Sequence, residues 1–199
     1  MTEREKMIKG ELYNPADPEL VNLRQKAHRL CLQFNRLFET DEAARCAVLK
    51  ELLGSSSFDG DEHYFQGPVY FDYGFNISIG KNFYANFNTT MLDVCPVKIG
   101  DNVMLGTGVS LLTPVHPLKF RERNPRKNEN GEAFVLEYAR PIVIGDNCWL
   151  ASNVTVIGGV TIGSGSVIGA GSVVTKDIPP DSFAAGNPCR VIKTIDNQA

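Results

Sequence analysis

Residues 144–179 read IGDNCW LASNVT VIGGVT IGSGSV IGAGSV VTKDIP when divided into sixes. Every sixth position is aliphatic: Ile144, Leu150, Val156, Ile162, Ile168 and Val174. Small residues dominate the next position (Gly145, Ala151, Gly163, Gly169), with Ile157 and Thr175 as the exceptions. A fixed period with one buried residue per repeat marks a solenoid, and a hexad is the period of a parallel β-helix. Each hexad supplies a short strand whose aliphatic side chain points into the coil. Two further residues turn a corner, where Gly or Asn tolerates positive φ.

Working upstream, the pattern becomes strand-like at Val69. Hexads restart at Tyr73, Ile79, Ile99, Leu105 and Leu111, with a two-residue register shift expected between 85 and 98. This predicts about five coils of roughly eighteen residues per triangular turn. Between Leu111 and Ile144 the repeat is broken by an excursion, HPLKFRERNPRKNENGEAFVLEYARP. Long insertions in a regular solenoid are uncommon without a purpose and often carry function.

Residues 1–17 are polar, and Pro15 and Pro18 keep the phrase GELYNPADPEL out of a helix. Apolar residues at helical spacing predict a helix from Pro18 to Phe38, with Asp17 as cap. A second helix is expected from Asp41 to Leu53, with Thr40 as cap and Gly54 as stop, followed by a loop at 55–63. The predicted organisation is a helical segment at 1–60, a β-helix at 61–182 with its loop excursion at 117–140, and a tail at 183–199. The chain is expected to leave the coil after residue 179.

Composition narrows the function. The formal net charge of -3 gives no support for a nucleic-acid partner, which favours a basic face. No apolar run approaches the ~20 residues of a membrane helix, and the charged start MTEREKMIKG shows no secretory h-region. Five cysteines, odd in number and without a C-x-x-C pair, read either as free thiols in a reducing compartment or as one leftover thiol. The first reading is favoured, so a cytoplasmic location is expected.

Three histidines can be weighed singly. His28 lies mid-helix and reads as a surface or interface residue, and His63 falls in the polar loop, so both are expected to lie outside the coils. His116 opens the excursion directly after a coil, between Pro114 and Pro117. Imidazole is suited to take a proton from an alcohol near neutral pH, but position alone leaves a catalytic and a structural role equally open. Asn86 reads on its own as a corner asparagine, and Asp17 as a helix cap.

The chain resembles the maltose/galactoside O-acetyltransferase family of hexapeptide-repeat proteins. The resemblance is carried by GELYNPADPEL, DYGFNISIGKNFYANFN at 72–88, MLDVCPVKIGDNV at 91–103, HP at 116–117, IGDNCWLASNVTVIGGVTIG and GAGSVVTKDIPPDSFAAGNPCRVIK. It implies a left-handed parallel β-helix, mainly β, assembled as a homotrimer with active sites in the clefts between neighbouring coils. It implies direct transfer of acetyl from acetyl-CoA to a sugar hydroxyl, with no metal. In that pattern His116 is the general base, the backbone N–H of Ser152 is the donor to the acyl oxyanion, and Asn86, also catalytic, lies in the acceptor and acyl pocket. Asp17, Asp72, Asp93 and Tyr84 would face the acceptor. Ala170, Thr175, Lys176, Arg190 and Lys193, with Ser152, would face acetyl-CoA.

The resemblance raises His116 above its structural reading. Trp149 and Tyr84 offer flat faces to a sugar ring or pantetheine arm, and a packing role for Trp149 is equally open. The excursion is longer and more charged than in relatives, and is expected either to reach over a neighbouring subunit's cleft or to be a solvated loop. Two other functions stand beside the first: acetylation of a non-sugar or antibiotic hydroxyl by the same machinery, and a non-catalytic scaffold. A carbonic-anhydrase-type metal site would need converging histidines that this chain is not expected to supply.

Overall fold

The computed structural model describes residues 1–37, 40–54, 58–60, 62–128, 130–131 and 133–197. Phe38 at the end of the expected helix, parts of the expected 55–63 loop, positions 129 and 132 of the excursion, and the last two residues of the tail lie outside the described residues.

Helix α1 (Glu3–Lys9) opens the chain where only a polar loop was expected. Its cause is a capping box: Thr2 Oγ1 accepts from the Glu5 N–H at 3.1 Å, and the Glu5 carboxylate accepts from the Thr2 N–H at 2.8 Å. Gly10 ends it at φ 74°, and a Cβ there would lie 2.6 Å from the Ala139 carbonyl oxygen. Helix α2 (Pro18–Arg36) starts as expected, with Asp17 accepting from the Glu19 and Leu20 N–H groups. Helix α3 (Glu42–Leu53) is capped by Asp41, which accepts from the Ala44 N–H at 2.9 Å. Thr40, the expected cap, instead donates its hydroxyl to the Leu37 carbonyl.

The coil then winds through three faces. The first turn is β1 (His63–Phe65), β2 (Val69–Phe71) and β3 (Ile77–Ile79), and the second is β4 (Phe83–Ala85), β5 (Thr89–Leu92) and β6 (Val97–Ile99). The third begins with β7 (Met104–Leu105) and β8 (Ser110–Leu112). It departs into β9 (Pro114–Val115), α4 (Phe120–Arg123), β10 (Arg126–Lys127), β11 (Ala133–Phe134) and β12 (Tyr138–Ala139), and returns at β13 (Ile142–Ile144). The fourth is β14 (Trp149–Leu150), β15 (Thr155–Ile157) and β16 (Thr161–Ile162). The fifth holds β17 (Val167–Ile168), β18 (Val173–Val174) and a bridge from Ile178 to Ile162. Strand β19 (Ser182–Ala185) starts another turn, and β20 (Arg190–Thr194) folds back antiparallel on it. The stacks β1-β4-β7-β14-β17-β19, β2-β5-β8-β15-β18 and β3-β6-β13-β16 form the first, second and third faces.

The six hexad residues from Ile144 to Val174 are each no more than 1 % exposed, as the period requires. Asn82, Asn102 and Asn147 turn one corner at positive φ, and their amides form a ladder at 2.9 and 3.0 Å. Four expectations need correction. The early repeat is not eighteen residues with one shift: Phe65 pairs with Ala85 and Ala85 with Leu105, whereas Leu150 pairs with Ile168. The extra residues always fall at the corner between the second and third faces, at 72–76, 92–96 and 112–141, compared with 157–159 in the fourth coil. Tyr73 therefore points out of the coil, and Phe71 takes the inward position. His63 belongs to the coil: it is 8 % exposed, its Nδ1 accepts from the Asp59 N–H, and its Nε2 donates to the Gly80 carbonyl at 2.7 Å. Finally, the chain stays in the coil beyond residue 179, because β19 pairs parallel with β17.

The helical segment does two jobs. It covers the edge of the first turn, whose strands have no preceding coil to pair with. Asn35 accepts from the Val69 N–H at 2.7 Å and donates to the Val69 carbonyl at 2.9 Å. Arg45, 2 % exposed, donates to the Phe65 and Gln66 carbonyls at 2.7 and 3.1 Å, with its guanidinium 4.3 Å from the Phe34 ring centroid. The segment also packs Met7, Tyr13 and Leu20 with Tyr73, Val94, Cys95 and Ala139 in a second core at the enlarged corner. Replacing Arg45 by Met should strip both carbonyls of a buried donor, at about 1–3 kcal/mol each. Chemical denaturation should show a loss of at least ~2 kcal/mol, and a loss near zero would mean that the edge is covered without it.

Candidate active site

The enlarged corner is cut by a pocket of about 340 Å³ between the coil, the start of α2 and the excursion. His116, Asp72, Arg24 and Glu137 supply its polar groups, and Tyr73 and Val94 part of its wall. His116 arrives there because β9 pairs antiparallel with β12, with Val115 opposite Tyr138, so the ring meets Glu137. Its side chain is 54 % exposed, and Nε2 lies 3.7 Å from Glu137 Oε2. Arg24 donates to the Tyr73 hydroxyl at 2.9 Å and to the Pro15 carbonyl at 3.3 Å.

Asp72 is largely buried at the pocket's edge, with Oδ1 3.5 Å from His28 Nε2. Burial raises its carboxyl above the usual range, while His28 and the Arg24 charge pull it back down. His28 is thus on a helix, as expected, but stands beside the pocket. Asp93 and Asp17 are not presented to it. Asp93 is fully buried and accepts from the Tyr73 N–H at 2.8 Å and the Asn76 N–H at 3.2 Å, which fastens the enlarged corner from below. Asp17 spends Oδ1 on the first turn of α2. Sequence reading missed Glu137 and Tyr13, although Tyr13 stood in the quoted GELY phrase. Only the tertiary fold brings Glu137 beside His116.

A second depression, about 520 Å³, runs along the first face. Strand register stacks Tyr84, Met104, Trp149, Val167 and Phe183 in one outward column. Trp149 is 49 % exposed, so it does not serve as core packing. Tyr84 stacks on Tyr64 with ring centroids 5.9 Å apart. Along the corner beside the column the residues are Gly106, Ala151 and Gly169. A Cβ on Gly106 would lie 2.6 Å from the Ser152 nitrogen, so glycine leaves that N–H approachable. Among the described residues neither Ser152 N–H nor Ala170 N–H is taken by an acceptor. Asn86 lies on the same groove, its Oδ1 accepting from the Phe87 N–H at 2.7 Å, which makes it the corner asparagine of its bland reading as well.

The groove and the His116 pocket share no lining residue. They occupy the two ends of the second face, with the strand β5 between Asn86 and the Asp93 corner. Arg190 and Lys193 extend the groove on β20, where Lys193 is opposite Phe183. Thr175 and Lys176 follow β18 and so sit at the corner of His116, two coils further on, away from the groove. Cys31, Cys95, Cys148 and Cys189 are buried thiols, and burial pushes Cys31 and Cys95 up to about 11, which leaves them inert near neutral pH.

Asp93 has a measurable consequence. Burial pushes its carboxyl up to about 6, against the N–H bonds from Tyr73, Gly74 and Asn76 that favour the anion. The folded state therefore holds this proton more tightly than the unfolded chain, so the carboxyl's contribution to stability falls as pH rises from about 4 to 6 and is flat above. The melting temperature of native protein relative to Asp93→Asn should decline across that window. A difference independent of pH would refute the assignment.

Comparison with known proteins agrees with this geometry. Residues 6–57 match the maltose acetyltransferase hexapeptide capping motif, 141–176 the six-repeat bacterial transferase hexapeptide, and 91–113 a hexapeptide repeat of succinyl-transferase. The chain is 43% identical to galactoside O-acetyltransferase of Escherichia coli K12 over 198 residues, 100% of this chain and 91% of that one. The crystal structure of a maltose O-acetyltransferase from Clostridium difficile 630 superposes with a TM-score of 0.89 at 44% identity, covering 99% of both chains. A hexapeptide-repeat acetyltransferase of Vibrio cholerae, solved with acetyl coenzyme A, follows at 0.81 and 37%, covering 99% of this chain and 100% of that one. This chain belongs to the maltose/galactoside O-acetyltransferase family of hexapeptide-repeat β-helix proteins, and it is an acetyltransferase.

Proposed function

We propose that the protein transfers acetyl from acetyl-CoA directly to a hydroxyl of a sugar, with His116 as general base. The observation that carries this reading is the division of the site. A pocket with a histidine and a carboxylate lies at one end of the second face, and an apolar groove with unpaired backbone N–H groups lies at the other. Each is half of an acyl-transfer centre: one half suits a polyol, the other a thioester on a long, largely apolar arm. They meet when the corner of one subunit packs against the corner of the next, a contact that closes into a ring, and the family resemblance makes that ring a trimer with three sites.

In that arrangement the acceptor lies over Asp72, whose carboxylate takes hydroxyl protons as hydrogen bonds. His116 removes the proton of the reacting hydroxyl as its oxygen attacks the thioester carbonyl. Negative charge develops on the carbonyl oxygen, and Ser152 N–H and the Asn86 amide are fixed donors for it. Collapse of the tetrahedral species releases the thiol, which recovers the proton from His116. The pantetheine arm lies along Trp149 and the small-residue corner, with Ala170 N–H as a donor. Arg190 and Lys193, and Thr175 and Lys176 from the neighbouring subunit, take the nucleotide and phosphates. Tyr84 contributes a flat face to the acceptor side. Asp93 acts by holding the backbone on which Asp72 stands, and Asp17 by capping the helix that carries Arg24. Buried, unreactive thiols support a cytoplasmic setting.

Thiol release from acetyl-CoA tests the whole reading, with maltose, glucose, galactosides and non-sugar alcohols as acceptors. Sugar-dependent release is expected, and His116→Ala should lower it by roughly 10²–10⁴-fold, with acetyl-CoA binding retained. Release only with non-sugar alcohols would move the acceptor class, and full activity in the variant would remove His116 as base. A sedimentation mass other than three chains would overturn the shared site.

The excursion exposes Leu118 and Phe120 beside His116, at 92% and 58%. Shortening it within 121–132 should raise the Michaelis constant for the acceptor and leave that for acetyl-CoA unchanged. An unchanged acceptor constant would make it a solvated loop.

A further inference from the structure

We propose that Glu137, clamped by the buried phenol of Tyr13, is the positioning residue of His116: it keeps the ring proton on Nε2 and leaves Nδ1 as the base. The inference rests on the reading of His116 as general base, and it assigns a function to two residues that the reaction scheme leaves idle.

The clamp is built from three contacts. The Tyr13 N–H donates to the Glu137 carbonyl at 3.0 Å, and the Glu137 N–H donates to the Tyr13 carbonyl at 3.2 Å, an antiparallel bridge between the N-terminal segment and the excursion. The Tyr13 hydroxyl donates to Glu137 Oε1. Tyr13 is fully buried in the second core, so it does not swing away. Oε1 is thereby occupied, and Oε2 is the oxygen that faces His116 Nε2, at 3.7 Å. Burial and the Glu137 charge both push the phenol far up, so the proton of this contact stays on Tyr13.

The other charged or titratable groups at the pocket do not replace it. Arg24 directs its donors to the Tyr73 hydroxyl and the Pro15 carbonyl. Asp72 faces His28, and the Tyr73 hydroxyl is held by Arg24. A carboxylate opposite one ring nitrogen fixes both the tautomer and the orientation of the ring, and it offsets the charge of the imidazolium formed in the reaction. The acceptor proton moves to Nδ1, and the same proton leaves Nδ1 for the sulfur as the carbon–sulfur bond breaks, so the ring returns to its starting state.

The test needs no substrate. In protein with ¹⁵N-labelled histidine, His116 is assigned as the ring signal missing from His116→Ala, and nitrogen shifts report which nitrogen carries the proton. The neutral ring is expected as the Nε2–H tautomer in native protein and as a mixture in Glu137→Gln. In turnover assays Glu137→Gln should lower kcat by roughly 10–100-fold with the acetyl-CoA Michaelis constant unchanged. Tyr13→Phe keeps the carboxylate but releases its clamp, and kcat should fall by about ten-fold. Thermal melts confirm that each variant is folded. An Nδ1–H tautomer in native protein, or an unchanged tautomer in Glu137→Gln, overturns the proposal. The tautomer result stands even if the acetyl acceptor proves not to be a sugar.

Discussion

The structure depends on one mismatch: a single corner of the coil carries more residues than the hexad needs. Inward aliphatic side chains fix the strands on all three faces, so additional chain has to leave the coil at a corner. It leaves at the same corner in three successive turns, which aligns DYGFN, LDVCP and the excursion in one column. That column would be a set of loose loops were it not packed from both sides. The N-terminal segment closes it from outside through the second core, and Asp93 fastens it from within by accepting backbone N–H groups, those of Tyr73 and Asn76 among them.

The helical segment is therefore part of the site as well as a lid on the coil. Asn35 and Arg45 supply the hydrogen bonds that a preceding turn would give to β1 and β2. Tyr13 and Arg24, from the same segment, reach the pocket that holds His116. Coupling a cap to a site in this way gives His116 a rigid support, although it stands on an excursion that is otherwise largely exposed.

The groove on the first face follows from a different property of the repeat. Strand register puts every outward residue of one face directly above the next, so a column of apolar side chains makes a continuous groove with no additional elements. On this face the small residue after the aliphatic position, Gly106, also leaves open the Ser152 N–H on the neighbouring coil. The groove and its donors are thus by-products of the same hexad that builds the core.

Much of this was legible in the chain. The period alone determined the β-helix, its inward residues and the asparagine corners, because each depends on spacing and on local backbone freedom. The Thr2–Glu5 capping box was equally local and was overlooked. What spacing could not decide was where an irregular stretch goes: Tyr73 sat on a hexad count yet points outward, and His63 sat in a polar stretch yet lies inside the coil. Asp93 was read as a ligand for an acceptor, and its full burial follows from the loop that folds over it. The contact between His116 and Glu137 joins residues 21 positions apart, and its clamp reaches back to Tyr13, 124 positions from Glu137. Such contacts arise only when the excursion, the N-terminal segment and the enlarged corner pack together. The sequence by itself determined the coil, because its rule repeats every six residues; the site was decided by tertiary structure, because it is built where that rule is broken.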